Sequence, residues 1–270
     1  MRDILLLLII FGSIPFILKR PFVGVLMWCW VSYMTPHRLT WGIMQDFPVA
    51  QIIGIVCLFS FLISKEAKSI PISAPIKWLI IFYVWMLLTY LVNDKTLFTN
   101  YLAFKVVKVQ FFTLIILAML TTKERVNQCL WVVAMSIGFF GVKGGLYTIM
   151  TGGGGRVWGP PGGFFEGNNE LGLVMVMILP ILFYLISTTK NKWVHYSMFL
   201  VILLCVAAIL GTQSRGAFLS ISVCALFIWL KSKKKLILSV IFVALIPFAY
   251  QSMPDSWHDR MSTIFEEKEE

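Results

Sequence analysis

Charged side chains are scarce here: they make up 13% of the 270 residues, about half of the roughly 25% found in soluble domains. Acidic residues are the scarcer sign, 13 against 23 lysines and arginines. Hydrophobic side chains reach 59% and the mean hydropathy is +0.84, so most of this chain must face lipid or neighbouring helices. A cytosolic enzyme and a secreted disulfide scaffold are both excluded. The five cysteines (Cys29, Cys57, Cys129, Cys205, Cys224) lie inside apolar runs, with no Cys-x-x-Cys pair and no histidine at ligand spacing. They read as small buried hydrophobes.

What is abundant is apolar sequence in long blocks. A bilayer core of about 30 Å takes about 20 helical residues, fewer where flanking groups snorkel. Ten runs bounded by charges or turn residues fit that pattern: Ile4–Leu18, Phe22–Met34, Val49–Ile63, Ile76–Val92, Tyr101–Leu120, Val126–Met150, Leu171–Ser187, Trp193–Gly211, Ala217–Leu230 and Leu236–Ser252. The expected fold is therefore all-α, a polytopic transmembrane bundle of about ten spans. The first two runs are short, and form either two spans or a re-entrant hairpin folded at Lys19-Arg20-Pro21. No small-residue cleavage site follows the first run, so it is not a removable signal peptide.

Charge sorts the loops by side. If every run spans, one set of alternate loops holds 13 basic residues, from Lys19 and Arg20 to Lys231–Lys235, against Glu66 and Glu124. The other set holds the remaining 10 basic and 11 acidic residues. Basic loops face the cytoplasm, so the N-terminus and the loops around 35–48, 93–100, 151–170 and 212–216 are expected outside. The formal charge of +10 is a topology signal, and nucleic acid is not an expected partner.

Three polar clusters on that outer side carry candidate chemistry. The loop from Thr151 to Glu170 holds eight glycines and two prolines between Gly152 and Gly167. That composition forbids a continuous helix, allows positive φ, and leaves backbone N–H groups open to an anion, with Arg156 as a fork-shaped partner for phosphate oxygens. No Gly-Lys-Ser/Thr follows, so it is not a nucleotide loop. Asn168, Asn169 and Glu170 stand at the entry of the seventh run, where the asparagines are expected to cap the helix and Glu170 to pair with Arg156 or contact an acceptor hydroxyl. The third cluster, Thr212-Gln213-Ser214-Arg215-Gly216, is a hinge with almost no loop to spare, and an arginine held there needs an anion or a lipid headgroup. Weaker signals are Lys143 before Gly144-Gly145, expected to mark a broken helix end near the same outer pocket, the interfacial pair His37-Arg38, and His258.

The stretches Lys19-Arg20-Pro21, Ser32-Tyr33-Met34-Thr35-Pro36-His37-Arg38, Arg156-Val157-Trp158-Gly159-Pro160-Pro161, Asn168-Asn169-Glu170-Leu171 and Gln213-Ser214-Arg215-Gly216-Ala217, in that order, resemble the O-glycosylation ligases associated with the exosortase A system. These belong to the O-antigen ligase and polymerase superfamily of bacterial inner membranes. The resemblance implies a GT-C-like membrane glycosyltransferase that moves a glycan from undecaprenyl diphosphate to an acceptor hydroxyl of a protein, lipid or polysaccharide at the periplasmic face, without metal, nucleotide or other cofactor. It implies Arg156 and Arg215 as diphosphate-binding residues. Glu170, Asn168, Asn169, Gln213, Ser214 and Lys143 are expected around the acceptor or in support.

By the same resemblance residues 1–125 form the N-terminal helices, 126–252 the ligase-like core with its loop at 151–170, and 253–270 the start of a longer periplasmic segment. The catalytic base is then expected beyond residue 270. A polysaccharide polymerase of the same superfamily is one alternative. A transporter or flippase for the same lipid-linked glycan is the other, and it should carry paired helix breaks near the bilayer midplane.

Overall fold

The structure is a computed structural model that describes residues 2–66, 68–70, 73–93, 96–232, 235, 236, 239, 240, 243, 247, 250, 251 and 253–262. Among these there are helices and turns and no strand. The helices are α1 Arg2–Lys19, α2 Pro21–Met34, α3 Val49–Ile63, α4 Ala74–Val92, α5 Leu97–Met119, α6 Lys123–Met150, α7 Asn168–Thr188, α8 Lys192–Gly211, α9 Arg215–Lys231 and α10 Asp255–Ser262. Nine of the ten apolar runs coincide with α1 to α9. The tenth, Leu236–Ser252, falls largely outside the described residues, as does the acidic end of the chain. Helices α4 to α8 contain segments long and apolar enough to cross a membrane by length and composition, while α2 and α3 are apolar but shorter. The protein is thus an all-helical, membrane-embedded one.

The chain divides into two compact units, Met1–Val31 with Gly42–Cys129, and Ser32–Trp41 with Leu130–Glu270. In the first, α1 and α3 run side by side in the same direction. The Asp3 carboxylate lies against Gly42 just ahead of α3, and at the far ends Ser60 Oγ donates to the Ile17 carbonyl at 2.6 Å. Helix α2 starts after a single non-helical residue, Arg20, and runs back against α3: its first residues lie beside Cys57, and Trp28 beside Gly54. Glycine makes these approaches possible, since a Cβ on Gly24 would come within 2.8 Å of Cys57 and Ile17. Trp28 stacks on Phe112 of α5, centroids 4.3 Å apart.

Helices α4 and α5 form a hairpin closed by Tyr90 Oη on Asn100 Oδ1 at 2.7 Å, and a Thr96–Thr99 capping box starts α5. At the other end of this unit three basic links meet. Arg125 pairs with Glu66 at 2.7 Å, and the Ser69 N–H donates to the Ala118 carbonyl at 3.0 Å. The three basic loops that belong to this unit therefore gather at one of its ends.

In the second unit α6 and α8 run parallel at very short range. Gly138 faces Val201, Gly141 faces Cys205, Gly145 faces the Leu204 backbone and Gly211 faces Thr148. Small residues are what allow such backbone contact in a membrane, where lipid tails remove the hydrophobic drive between helices. Helix α7 lines the other side of α8 with Leu171, Met175, Ile178, Leu182 and Leu185, all buried and spaced by three or four residues on one face.

Candidate anion site at the glycine-rich loop

The loop between α6 and α7 is anchored by two apolar side chains. Val157 is buried on Gly144, and Phe165 meets Phe140 of α6 edge-on, centroids 6.1 Å apart. Between these anchors the chain doubles back: the Gly159 N–H donates to the Glu166 carbonyl, and a Cβ on Gly159 would collide with the Phe165 carbonyl oxygen. Gly162, at φ +68, receives the Arg38 guanidinium at 3.3 Å from where its Cβ would stand, and its N–H donates to the Glu166 carboxylate at 2.9 Å.

The loop is stitched to the hinge between α8 and α9. Arg156 Nε donates to Gln213 Oε1 at 3.2 Å, Gln213 Nε2 donates to the Gly153 carbonyl at 3.1 Å, and the Val157 N–H donates to the Gly211 carbonyl at 2.9 Å. Asn168 Nδ2 adds a bond to the Thr212 carbonyl at 2.9 Å. Gln213 is 3% exposed and has φ +52, a left-handed backbone that only glycine adopts without cost. The two side-chain bonds and its own N–H on the Leu210 carbonyl hold it there.

Ser214 then caps α9, its Oγ accepting from the Ala217 N–H at 3.1 Å. Arg215 is the first residue of α9, exposed, in a first turn without an acidic residue. Helices α7 and α9 run in the same direction here, packed through Gly172 on Ala217 and Thr212, so two helix N-termini open side by side. Each contributes first-turn N–H groups and a positive dipole end. Arg156 is exposed, and with Nε committed its guanidinium keeps four further N–H donors.

The sequence-predicted residues separate under this geometry. Arg156, Gln213, Ser214, Arg215 and Asn168 come together around the hinge. Two expectations need correction. Asn168 does not cap α7: Gly167 holds that position without a side-chain bond, and the Asn168 amide is drawn to Thr212, an orphan carbonyl at the end of α8. Lys143 marks no broken helix end, because α6 runs unbroken to Met150 and Gly144-Gly145 serve close packing on Val157, Ala208 and Leu204 instead. Lys143 is exposed on α6 one turn before Tyr147, whose hydroxyl lies against Gly155. Asn169 and Glu170 are exposed in the first turn of α7, and the Glu170 carboxylate folds over Gly167 while Arg156 donates to Gln213.

Two neighbours of the site were less visible in the sequence. Arg38 reaches Gly162 from the Pro36–Leu39 turn, whose entry residue Thr35 also has a left-handed φ of 43°. Beside it, burial and then the Arg38 charge lower the pKa of His37, and its Nδ1 has no partner among the described residues. Met253 and Pro254 lie over Gly153, and Trp257 of α10 is buried edge-on against Phe218 of α9. His258 bonds the Met253 carbonyl at 3.1 Å. Nothing in the sequence pairs these segments; only the fold does.

An all-helical membrane protein with a cationic, loop-capped site at paired helix N-termini is the class that fold and site define. The chain belongs to a family of unknown function, DUF5935, whose family model matches residues 1–190. That match takes in Arg38, Arg156 and Glu170. No curated protein and no solved structure matches the chain.

Proposed function

We propose that this protein is a glycan ligase of the bacterial inner membrane, of GT-C-like architecture with about ten spans. It transfers a glycan from undecaprenyl diphosphate to an acceptor hydroxyl at the periplasmic face. The observation that carries the reading is the bond from Arg156 to Gln213, two residues along the chain from Arg215, at adjoining helix N-termini. The positive dipole end and first-turn N–H groups of a helix favour a bound anion by about 0.3–1 kcal/mol at an exposed site. Arg215 stands in that turn of α9.

When the anomeric carbon–oxygen bond breaks, negative charge grows on the leaving diphosphate. Guanidinium forks and helix N–H groups already aimed at that place stabilise the charge as it develops. Arg156 and Arg215 take the diphosphate, Gln213 orients Arg156, Ser214 and Asn168 hold the hinge, and Glu170 and Asn169 border the acceptor side, with Lys143 of α6 in support. The same site on a growing polysaccharide as acceptor makes a polymerase. A transporter is less well supported, because α6, α7 and α8 are continuous and the irregular backbone collects at one end of the second unit.

The test is glycan transfer in cells carrying the full-length gene with Arg156→Ala or Arg215→Ala. Each substitution is expected to abolish transfer while the protein still accumulates in the membrane. Wild-type transfer by both variants contradicts the reading.

A further inference from the structure

A second polar site lies in the first unit, at the end where its basic links meet. A cavity of ≈ 500 Å³ opens there, lined by Arg20, Phe22, Val23, Leu26, Glu66, Thr122, Glu124, Arg125 and Gln128. One wall is apolar, the start of α2 with Phe22, Val23 and Leu26. The rim is polar and carries two cations and two carboxylates.

Half of this rim is fixed. Arg125 bonds Glu66 at 2.7 Å and the Met119 carbonyl at 3.2 Å, and its guanidinium lies over the Phe22 ring at 4.9 Å. Arg20 and Glu124 are exposed on the same cavity, and no ion pair joins them among the described residues. One free cation, one free carboxylate and an apolar wall match an amphiphile that carries both charges.

Position argues for lipid. Helix α3, exposed at Ile55, Phe59, Leu62 and Ile63, has 15 residues, about 22 Å at 1.5 Å each, well short of a hydrocarbon core of about 30 Å. A short helix draws the bilayer surface toward it. Headgroups are therefore brought down to the C-terminal end of α3, where Glu66 lines the cavity. Because the charged lining sums to zero, it favours a zwitterion over a purely anionic group.

We infer that this cavity binds a phosphate ester bearing a primary ammonium, the headgroup of phosphatidylethanolamine, with Arg20 on the phosphate and Glu124 on the ammonium. The site is independent of the ligase reading and shares no residue with it.

The test uses the full chain in nanodiscs of equal phosphatidylethanolamine, phosphatidylglycerol and phosphatidylcholine, with lipids retained through purification counted by native mass spectrometry. Phosphatidylethanolamine is expected to be enriched about fivefold, the scale of a partly exposed charge contact. Glu124→Gln removes that preference, Arg20→Gln lowers retention of phosphatidylethanolamine about fivefold, and Lys65→Gln, a cation at the same end but outside the cavity, changes neither. Equal retention of the three lipids, or an effect of Lys65→Gln equal to that of Arg20→Gln, overturns the inference. Soluble O-phosphoethanolamine is the second arm. Its binding without lipid retention assigns the same chemistry to a soluble ester, and binding of neither overturns the site.

Discussion

Gln213 joins the loop to the hinge, and it does so from a left-handed backbone that strains a glutamine by about 1–2 kcal/mol. Replacing it by glycine relieves that strain but deletes two side-chain hydrogen bonds, each contributing about 1 kcal/mol. The two effects nearly offset. Gln213→Gly should therefore melt close to the wild type in detergent, while Arg156 loses its positioning partner and transfer falls. Unchanged transfer would mean that Arg156 does not depend on Gln213.

His37 makes a pH prediction at the same scale. Burial and Arg38 hold its pKa below the ordinary value of about 6.5, so the folded protein binds its proton less readily than the unfolded chain. Its contribution to stability is complete above that ordinary value and is lost as pH falls through it toward the folded value. The apparent Tm should drop on acidification over that window, and His37→Gln should flatten this component. Neither effect was legible in the sequence, where Gln213 and His37 were simply polar residues near arginines. Left-handed strain and burial are properties of the folded backbone.

At the scale of elements, helix positions followed from the apolar runs because a membrane demands continuous backbone hydrogen bonding over a fixed length. The meaning of glycine did not follow. Gly144-Gly145 reads in sequence as a helix break, yet only contact with α8 distinguishes a break from a groove. A Cβ on Gly145 would stand 2.2 Å from the Leu204 carbonyl oxygen, whereas nothing lies within 4 Å of one on Gly12. Gly145→Ala should cost about 1–3 kcal/mol by overpacking backbone on backbone. Gly12→Ala on α1 should be neutral or stabilising by up to about 1 kcal/mol. Urea or thermal unfolding of the two variants in one detergent separates them, and equal stability would contradict the α6–α8 packing.

At the scale of the whole molecule the charge pattern predicts sidedness. Cysteine substitutions at Lys65 and Gly154, both exposed, should react with an impermeant maleimide from opposite sides of intact membranes, Gly154 from outside the cell. The four buried native cysteines should stay silent in that assay. Labelling of both positions from one side would contradict the alternation of loops. The ordered motifs singled out Arg156, Asn168, Gln213, Ser214 and Arg215, and the fold does bring those residues together around one hinge. They did not show that Gln213 bridges the two stretches or that Arg38 joins the loop, because both contacts connect residues far apart in the chain.

The most direct measurement is the affinity of the purified full chain for undecaprenyl diphosphate against undecaprenyl monophosphate. With hydrogen bonds to charged groups contributing about 1.5–3 kcal/mol, Arg156→Ala and Arg215→Ala should each weaken diphosphate binding about 10- to 100-fold, with smaller losses for lysine at either position. Diphosphate binding that survives both alanine substitutions, or that is no tighter than monophosphate binding, would contradict the account.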